Sequence, residues 1–508
     1  MKKNYIKIWA MGMLSALTVL ASCSDDYLDK EIYGRKSTEE FYKTDQDAFR
    51  ATIAVYDILQ YHYNTGWSSN YLVKTLPSDE GTAGGGGSGD QPQYQNLDDY
   101  TYDSQNGGVL GTWRMAYFGI FRANKVINLV EPENDFRKAL IAEAKALRAY
   151  NYFELVSMFG DVPLLLAEPD QSEYEQERVA SNIVYDQIEK DLREAIELLP
   201  LKSEYSAADQ FRVSKGTAQA LLGKAYLYQQ QWDSAAYFLD AVIASNEYDL
   251  HDNYADNWTE AGELGKESVF EVQFVSSVGY DWGNFPWDNG RLQESNIHIQ
   301  LMGPRGGFYE PAPGDSLIAG WGFLYPSEEL YDAFVNAGDS ARKVNTLMSE
   351  AELVAAGGAW TGENVWDYNG FIRRKYGTYS TQTNPDAVAD LNYATNWRLM
   401  RYADVLLMAA EAFYNAGNEG RALTELNKVR DRAGLDDIAA SGTALFEAIV
   451  TERQLELAFE GFRFLDLVRW GRASQELGDL GFVEGKHNLF PIPFDDVVRG
   501  NLGQNDKW

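Results

Sequence analysis

The chain has 508 residues, 45% hydrophobic and 24% charged, a composition that excludes a disordered segment or a membrane-embedded bundle and predicts two or three packed units. Its 76 acidic and 44 basic residues leave a formal charge of −32, so a nucleic-acid backbone or an anionic lipid surface would be repelled. Aromatic residues reach 14%, with 13 Trp and 32 Tyr, a surplus over what a water-loving acidic chain needs for its core.

At the N-terminus, Lys2, Lys3 and Lys7 precede an uncharged run from Ile8 to Ala21, the length of a secretory h-region and too short to span a bilayer. Leu20-Ala21-Ser22-Cys23 ends it and resembles the bacterial lipoprotein box, whose cysteine thiol receives a lipid. Cys23 is the only cysteine in the chain. Residues 1–22 are therefore expected to be a signal peptide, and 23–45 a lipidated tether (diacylglycerol, with palmitate) leading into the fold. Ser24-Asp25-Asp26 is similar to the acidic tag that carries some lipoproteins to the extracellular face of the cell outer membrane. The mature body then holds no disulfide, which its size tolerates.

Residues 46–250 read as a helical region with a loop insertion near 65–111. The tract Gly84 to Gly89 has the form G-x-G-x-x-G, but no strand precedes it and no helix opens after it, so a flexible loop is expected. Asp79-Glu80 is the carboxylate pair a glycosidase would need; after Pro77 it reads instead as a turn or cap. Leu140, Ala144, Leu147 and Tyr150 predict a helix over 135–159, stopped at Gly160 to Pro163. A second run, 183–199, ends at Pro200 and makes an antiparallel pair with it. Leu222, Gly223, Tyr226, Ala235 and Leu239 fit the tetratricopeptide pattern of small and large positions, and Ala410, Phe413, Ala422 and Leu426 repeat it 187 residues later.

Between these pairs, residues 251–393 are rich in Gly, Pro, Asn and aromatics, and only Ser268 to Phe274 alternates as a strand does. Seven of the 13 Trp lie within 251–400, where even spreading gives about four. Loops bury large rings less well than packed helices, so some of these rings are expected at the surface, where a flat face can stack on sugar. Asp281, Trp282, Asn284, Phe285, Trp287 and Asn289 mix rings with hydrogen-bonding groups in the way a carbohydrate site requires. Trp67 and Trp321 are the further candidates, with Tyr63, Ser69, Asn70 and Tyr71 as a weaker cluster. There is no G-x-x-x-x-G-K-[ST], H-E-x-x-H, G-x-S-x-G or D-x-[DN]-x-[DN]-G pattern, and the histidines are only His62, His251, His298 and His487. No cofactor, metal or catalytic residue is therefore expected.

Residues 394–508 carry the most diagnostic runs. Arg401 to Met408 with Glu411-Ala412, Leu426 to Gly434, Glu452 to Arg463, and Asp466 to Gly471, together with Arg148 to Pro163 and Pro491-Ile492-Pro493, resemble the SusD/RagB family of outer-membrane nutrient-binding lipoproteins. Within Glu452 to Arg463, the charges at helical spacing, Glu452 with Glu456 and Arg453 with Glu456, read as pairs that lace helices together. The resemblance implies a mostly α, tetratricopeptide-like fold: a right-handed platform of helix pairs with a loop-rich insertion containing short strands. It further implies a non-enzymatic binder that delivers glycan to a SusC-like TonB-dependent transporter. A peptide- or glycopeptide-binding role and a surface glycoside hydrolase are the alternatives.

Overall fold

A computed structural model describes residues 41–64, 69–169, 175–277, 294–362, 365–384, 386 and 391–508. The leader, Cys23, Trp67, Asp281, Trp282, Asn284, Phe285, Trp287 and Asn289 lie outside the described residues. Among those described, no helix is long and apolar enough to cross a membrane.

The first helices are α1 (Asp45–Asn64), the short α2 (Asn70–Thr75) and α3 (Gly107–Leu129). α3 opens on two glycines, a poor start by propensity, because the Asn106 side chain accepts the N–H groups of Gly108 and Val109. The helix thus begins inside the stretch expected to be irregular. α4 (Asp135–Phe159) fills the span its apolar period predicts: Asn134 caps the Arg137 N–H, and Gly160 at φ +71° ends it. α5 (Ser181–Ile196), α6 (Lys215–Tyr228) and α7 (Trp232–Ser245) follow, and after the insertion come α8 (Tyr402–Asn415), α9 (Glu419–Arg432), α10 (Thr443–Glu456) and α11 (Arg463–Arg469).

α1 packs on α3, α3 on α4, and so on through α5, α6 and α7 to α8 and α9. α8 therefore continues the stack left by α7, and the insertion is extruded between two adjacent helices. Small residues make the contacts close, as the sequence pattern predicts: a Cβ on Gly223 would sit 2.6 Å from Leu239 Cγ.

Eight short strands, β1 (Gly81–Thr82), β2 (Ser268–Val272), β3 (Tyr309–Glu310), β4 (Tyr325–Pro326), β5 (Leu347–Ser349), β6 (Ala359–Trp360), β7 (Phe371–Arg373) and β8 (Trp397–Arg401), form antiparallel pairs β1–β4, β2–β8, β3–β6 and β5–β7 among the described residues. β2 is shorter than predicted and buried on both faces. Its alternating polar residues face protein: Glu271 accepts from Asn396 at 3.0 Å and from the Leu264 N–H at 3.2 Å.

β1–β4 joins the two insertions, and the glycine tract continues that contact. A Cβ on Gly84 would lie 2.1 Å from the Gly322 carbonyl oxygen and 2.3 Å from the Tyr325 ring. The first half of the tract is thus a packed seam, which corrects the expectation of a flexible loop. Gly84→Ala is expected to lower stability by about 2 kcal/mol. Gly89→Ala, with no atom within 4 Å, should change it by no more than about 0.5 kcal/mol in the same urea titration.

The helix-lacing pairs are buried but differ from the expected partners. Arg453 reaches Asp404 at 2.9 Å and Asp466 at 2.8 Å, not Glu456. Glu456 instead takes Arg401 and Arg342, each at 2.9 Å, with Arg432, while Glu452 takes Arg430 at 3.0 Å and Arg342 at 2.6 Å. Each bridge joins different elements, so the cluster is a tertiary clamp.

Candidate functional site

α1 ends beside the base of the aromatic insertion. Gln60 Nε2 donates to the Gln273 carbonyl at 2.7 Å and reaches Glu294 Oε2 at 3.5 Å. The Val275 N–H donates to the Glu294 carbonyl at 2.6 Å, so residues 275 and 294, which flank the undescribed 278–293, are clamped together. Asn296 bonds to Tyr393 and Thr395, each at 2.8 Å, and the Ser295 hydroxyl to the Leu391 carbonyl at 2.8 Å. Ser69 caps α2 through the Leu72 N–H, which fixes the far side of residues 65–68. The described residues on either side of 278–293, and those after 65–68, are thus held at fixed positions.

The helix Ile297–Met302 carries the next part. The Trp321 N–H donates to the Gln300 carbonyl at 2.9 Å, the Phe323 N–H to Leu301 at 2.9 Å, and the Gly322 N–H to Gly303 at 2.8 Å. Gly303 and Gly320 allow this approach, since a Cβ on Gly320 would stand 2.6 Å from both the Gln300 carbonyl oxygen and Gly303 Cα. Trp321 is consequently half buried, one side packed on the core and its backbone fixed. Arg305 Nη1 donates to the Trp321 carbonyl at 2.8 Å and stands 3.8 Å from Asp90, whose carboxylate accepts the Gly86 N–H at 2.8 Å. Arg305 and Asp90 were not singled out from sequence; the signal available was an acid placed directly after the glycine tract. His298, on the same helix, is buried with no hydrogen-bond partner for either ring nitrogen among the described residues, and burial lowers its pKa to about 3.

Other candidates turn out to be structural. Trp258 and Trp397 are only 5% and 2% exposed. Lys375 stands 4.3 Å over the Trp258 ring, and Tyr71 stacks on Trp397 at 4.7 Å, which removes Tyr71 from the surface. Asn70 is buried and donates to Glu154 at 2.7 Å. Trp360 stacks on Tyr368 at 3.8 Å, pinning a loop. Trp366 is 38% exposed, and its indole N–H donates to Gln95 at 2.9 Å. Asp79 forms a bidentate ion pair with Arg463 at 2.8 and 2.6 Å, and Glu80 is buried under the Phe459 N–H at 3.2 Å, so neither acts as a free carboxylate. Among the described residues, no group of three His, Cys, Asp or Glu is arranged to hold a metal ion. What remain are the exposed Trp366 and the half-buried Trp321, whose carbonyl is held by the Arg305 that faces Asp90, groups suited to stacking and hydrogen bonding.

The SusD family model matches residues 342–501, and a second, described as starch-binding associating with outer membrane, matches 26–227. A solved laminarin-binding SusD-like protein is 34% identical over 92% of this chain and 100% of its own, with a TM-score of 0.83. The chain belongs to the SusD/RagB family. The SusD-like protein P38 of Formosa agariphila is 27% identical across 96% of this chain and 95% of its own. Surface glycan-binding protein A from Bacteroides thetaiotaomicron, solved in complex with laminarihexaose, is 25% identical over 91% of this chain and 99% of its own, with a TM-score of 0.76. The SusD/RagB likeness thus spans both helical regions and the insertion between them, and the mostly helical, tetratricopeptide-like fold with short strands is the family's.

Proposed function

We propose that this chain is a cell-surface glycan-binding lipoprotein that captures oligo- or polysaccharide without catalysis and passes it to a SusC-like TonB-dependent transporter, with a laminarin-type glycan as its ligand. The observation that carries this reading is the 34% identity to the laminarin-binding protein over that protein's full length. The name of the second family model supports the outer-membrane address, which on this reading is reached through lipid on Cys23 and faces outward. The binding surface is built around Trp321, with Arg305 and Asp90 orienting hydroxyls. Trp67, Trp282, Phe285 and Trp287 supply stacking faces, and Asp281, Asn284 and Asn289 supply hydrogen bonds.

The test is affinity electrophoresis in gels containing laminarin, starch or no glycan, using the chain from residue 24 onward. Retardation by laminarin is expected. Trp321→Ala should weaken binding about 5- to 30-fold, since loss of one aromatic stacking face is worth about 1–2 kcal/mol. Trp282→Ala with Trp287→Ala should abolish retention, both variants keeping the parent melting temperature. Retardation by no glycan, with binding of peptides instead, would overturn the reading, as would release of reducing sugar.

A further inference from the structure

A second groove lies on α3. Trp113, Tyr117 and Phe121 recur at every fourth residue along one side of this helix, and they form one wall of an open cavity of about 500 Å³. Trp113 is the buried floor; the Tyr117 hydroxyl donates to the Pro163 carbonyl at 2.9 Å; Phe121, with Lys125 Nζ 5.1 Å from its ring centre, stands 41% exposed at the mouth. The opposite wall is the short helix Phe494–Arg499, which contributes Asp495, Asp496 and Arg499. Arg114 crosses between the walls to Asp495 at 3.2 Å, and Arg499 approaches Asp495 at 3.7 Å.

We propose that this groove is a second glycan subsite, one that takes a short stretch of neutral oligosaccharide. Three observations select that occupant. The cavity, at about 500 Å³, falls within the roughly 300–1,000 Å³ of small-molecule pockets. One wall presents ring faces and the other ionic hydrogen-bonding groups, which matches a molecule with an apolar face and a hydroxyl edge; a lipid tail would leave the ionic wall desolvated and unpaired. Arg114 and Arg499 balance Asp495 and Asp496, so the lining carries no net charge and gives a sulfated or uronic chain no counter-charge, while the −32 of the whole chain repels it.

The groove also lies close to the base of the aromatic insertion. Phe118, which lines it, packs with Ile58 and Tyr61 of α1, next to the Gln60 that anchors the aromatic insertion. One polysaccharide strand spanning both sites would gain avidity with no new contact. The inference rests on the glycan reading above.

Calorimetry with laminarihexaose, maltohexaose and cellohexaose, each titrated into four chains, tests it: the parent, Trp321→Ala, Phe121→Ala/Arg114→Ala, and the triple variant. For a sugar that the parent binds, Trp321→Ala should retain a weaker binding event that the triple variant weakens at least tenfold, and Phe121→Tyr in place of Phe121→Ala/Arg114→Ala should keep it. The proposal is overturned if the parent binds a sugar but Trp321→Ala shows no residual event, or if the groove substitutions leave that event unchanged. If the parent binds none of the three, the glycan reading fails and the groove assignment fails with it.

Discussion

Glu456→Gln is expected to lower the unfolding free energy by about 3–5 kcal/mol, the range for breaking a buried ion pair by removing one partner. Glu456 is 0% exposed and meets Arg342 from the helix Ser340–Thr346, Arg401 from the end of β8 and Arg432 from the end of α9. Those guanidiniums hold its carboxyl well below the usual range despite its burial. Gln would leave them short of one negative charge in a place water cannot reach. The substitution should shift the urea midpoint with little change in slope. A loss below about 1 kcal/mol would show that Glu267, Glu452 and Glu460 absorb the charge, and that the clamp does not depend on Glu456. Because a depressed carboxyl stabilises only above its unfolded pKa, this contribution is present from about pH 4.5 upward and is lost as pH falls toward the folded value.

The second large effect has the opposite sign. Glu80 is 1% exposed, Oε2 has no hydrogen-bond partner among the described residues, and desolvation with Asp79 alongside pushes its pKa up to about 8. The folded state therefore keeps a proton that the unfolded chain releases near pH 4.5, and stability drains away as pH rises toward 8. At about 1.4 kcal/mol per unit, the parent should lose about 4 kcal/mol more than Glu80→Gln between pH 5 and pH 8. Asp98 and Glu263, both raised by burial to about 7, act in the same direction. The lowered His298 acts oppositely below pH 6.5, but it is common to both chains and cancels in the comparison. Urea titrations of parent and variant at the two pH values measure the difference; parallel pH profiles would mean that Glu80 is ionised in the folded chain.

Helices were the legible part of this sequence because their signals are local. The span 135–159 is bounded by Asn134 and Gly160, each acting on its immediate neighbours, and the Gly223–Leu239 contact follows from a small residue facing a large one sixteen positions on. The charge pairs were legible as lacing but not as partners, since Glu456 and Arg401 are 55 residues apart, and Glu267 and Arg401 are 134 apart. No helical spacing encodes such distances.

The tryptophan excess pointed to the insertion, but composition cannot separate Trp397, sealed against Tyr71 and Tyr376, from Trp321, which is only half buried. That distinction depends on which backbone arrives behind each ring. The Trp113–Tyr117–Phe121 stripe has a plain helical period and was readable in principle. It reads as ordinary core until the C-terminal helix is seen standing off from it.

The seam between Gly84 and Gly322 bears on how new specificities can be built on this scaffold. Two loops more than two hundred residues apart in the chain meet there, the Gly84 backbone against the Gly322 carbonyl and the Tyr325 ring, with no side chain on the glycine to absorb a mismatch. A loop grafted from a relative at one position alone would collide with, or stand away from, an unaltered counterpart. The transferable cassette for recognition is therefore the two loops exchanged together.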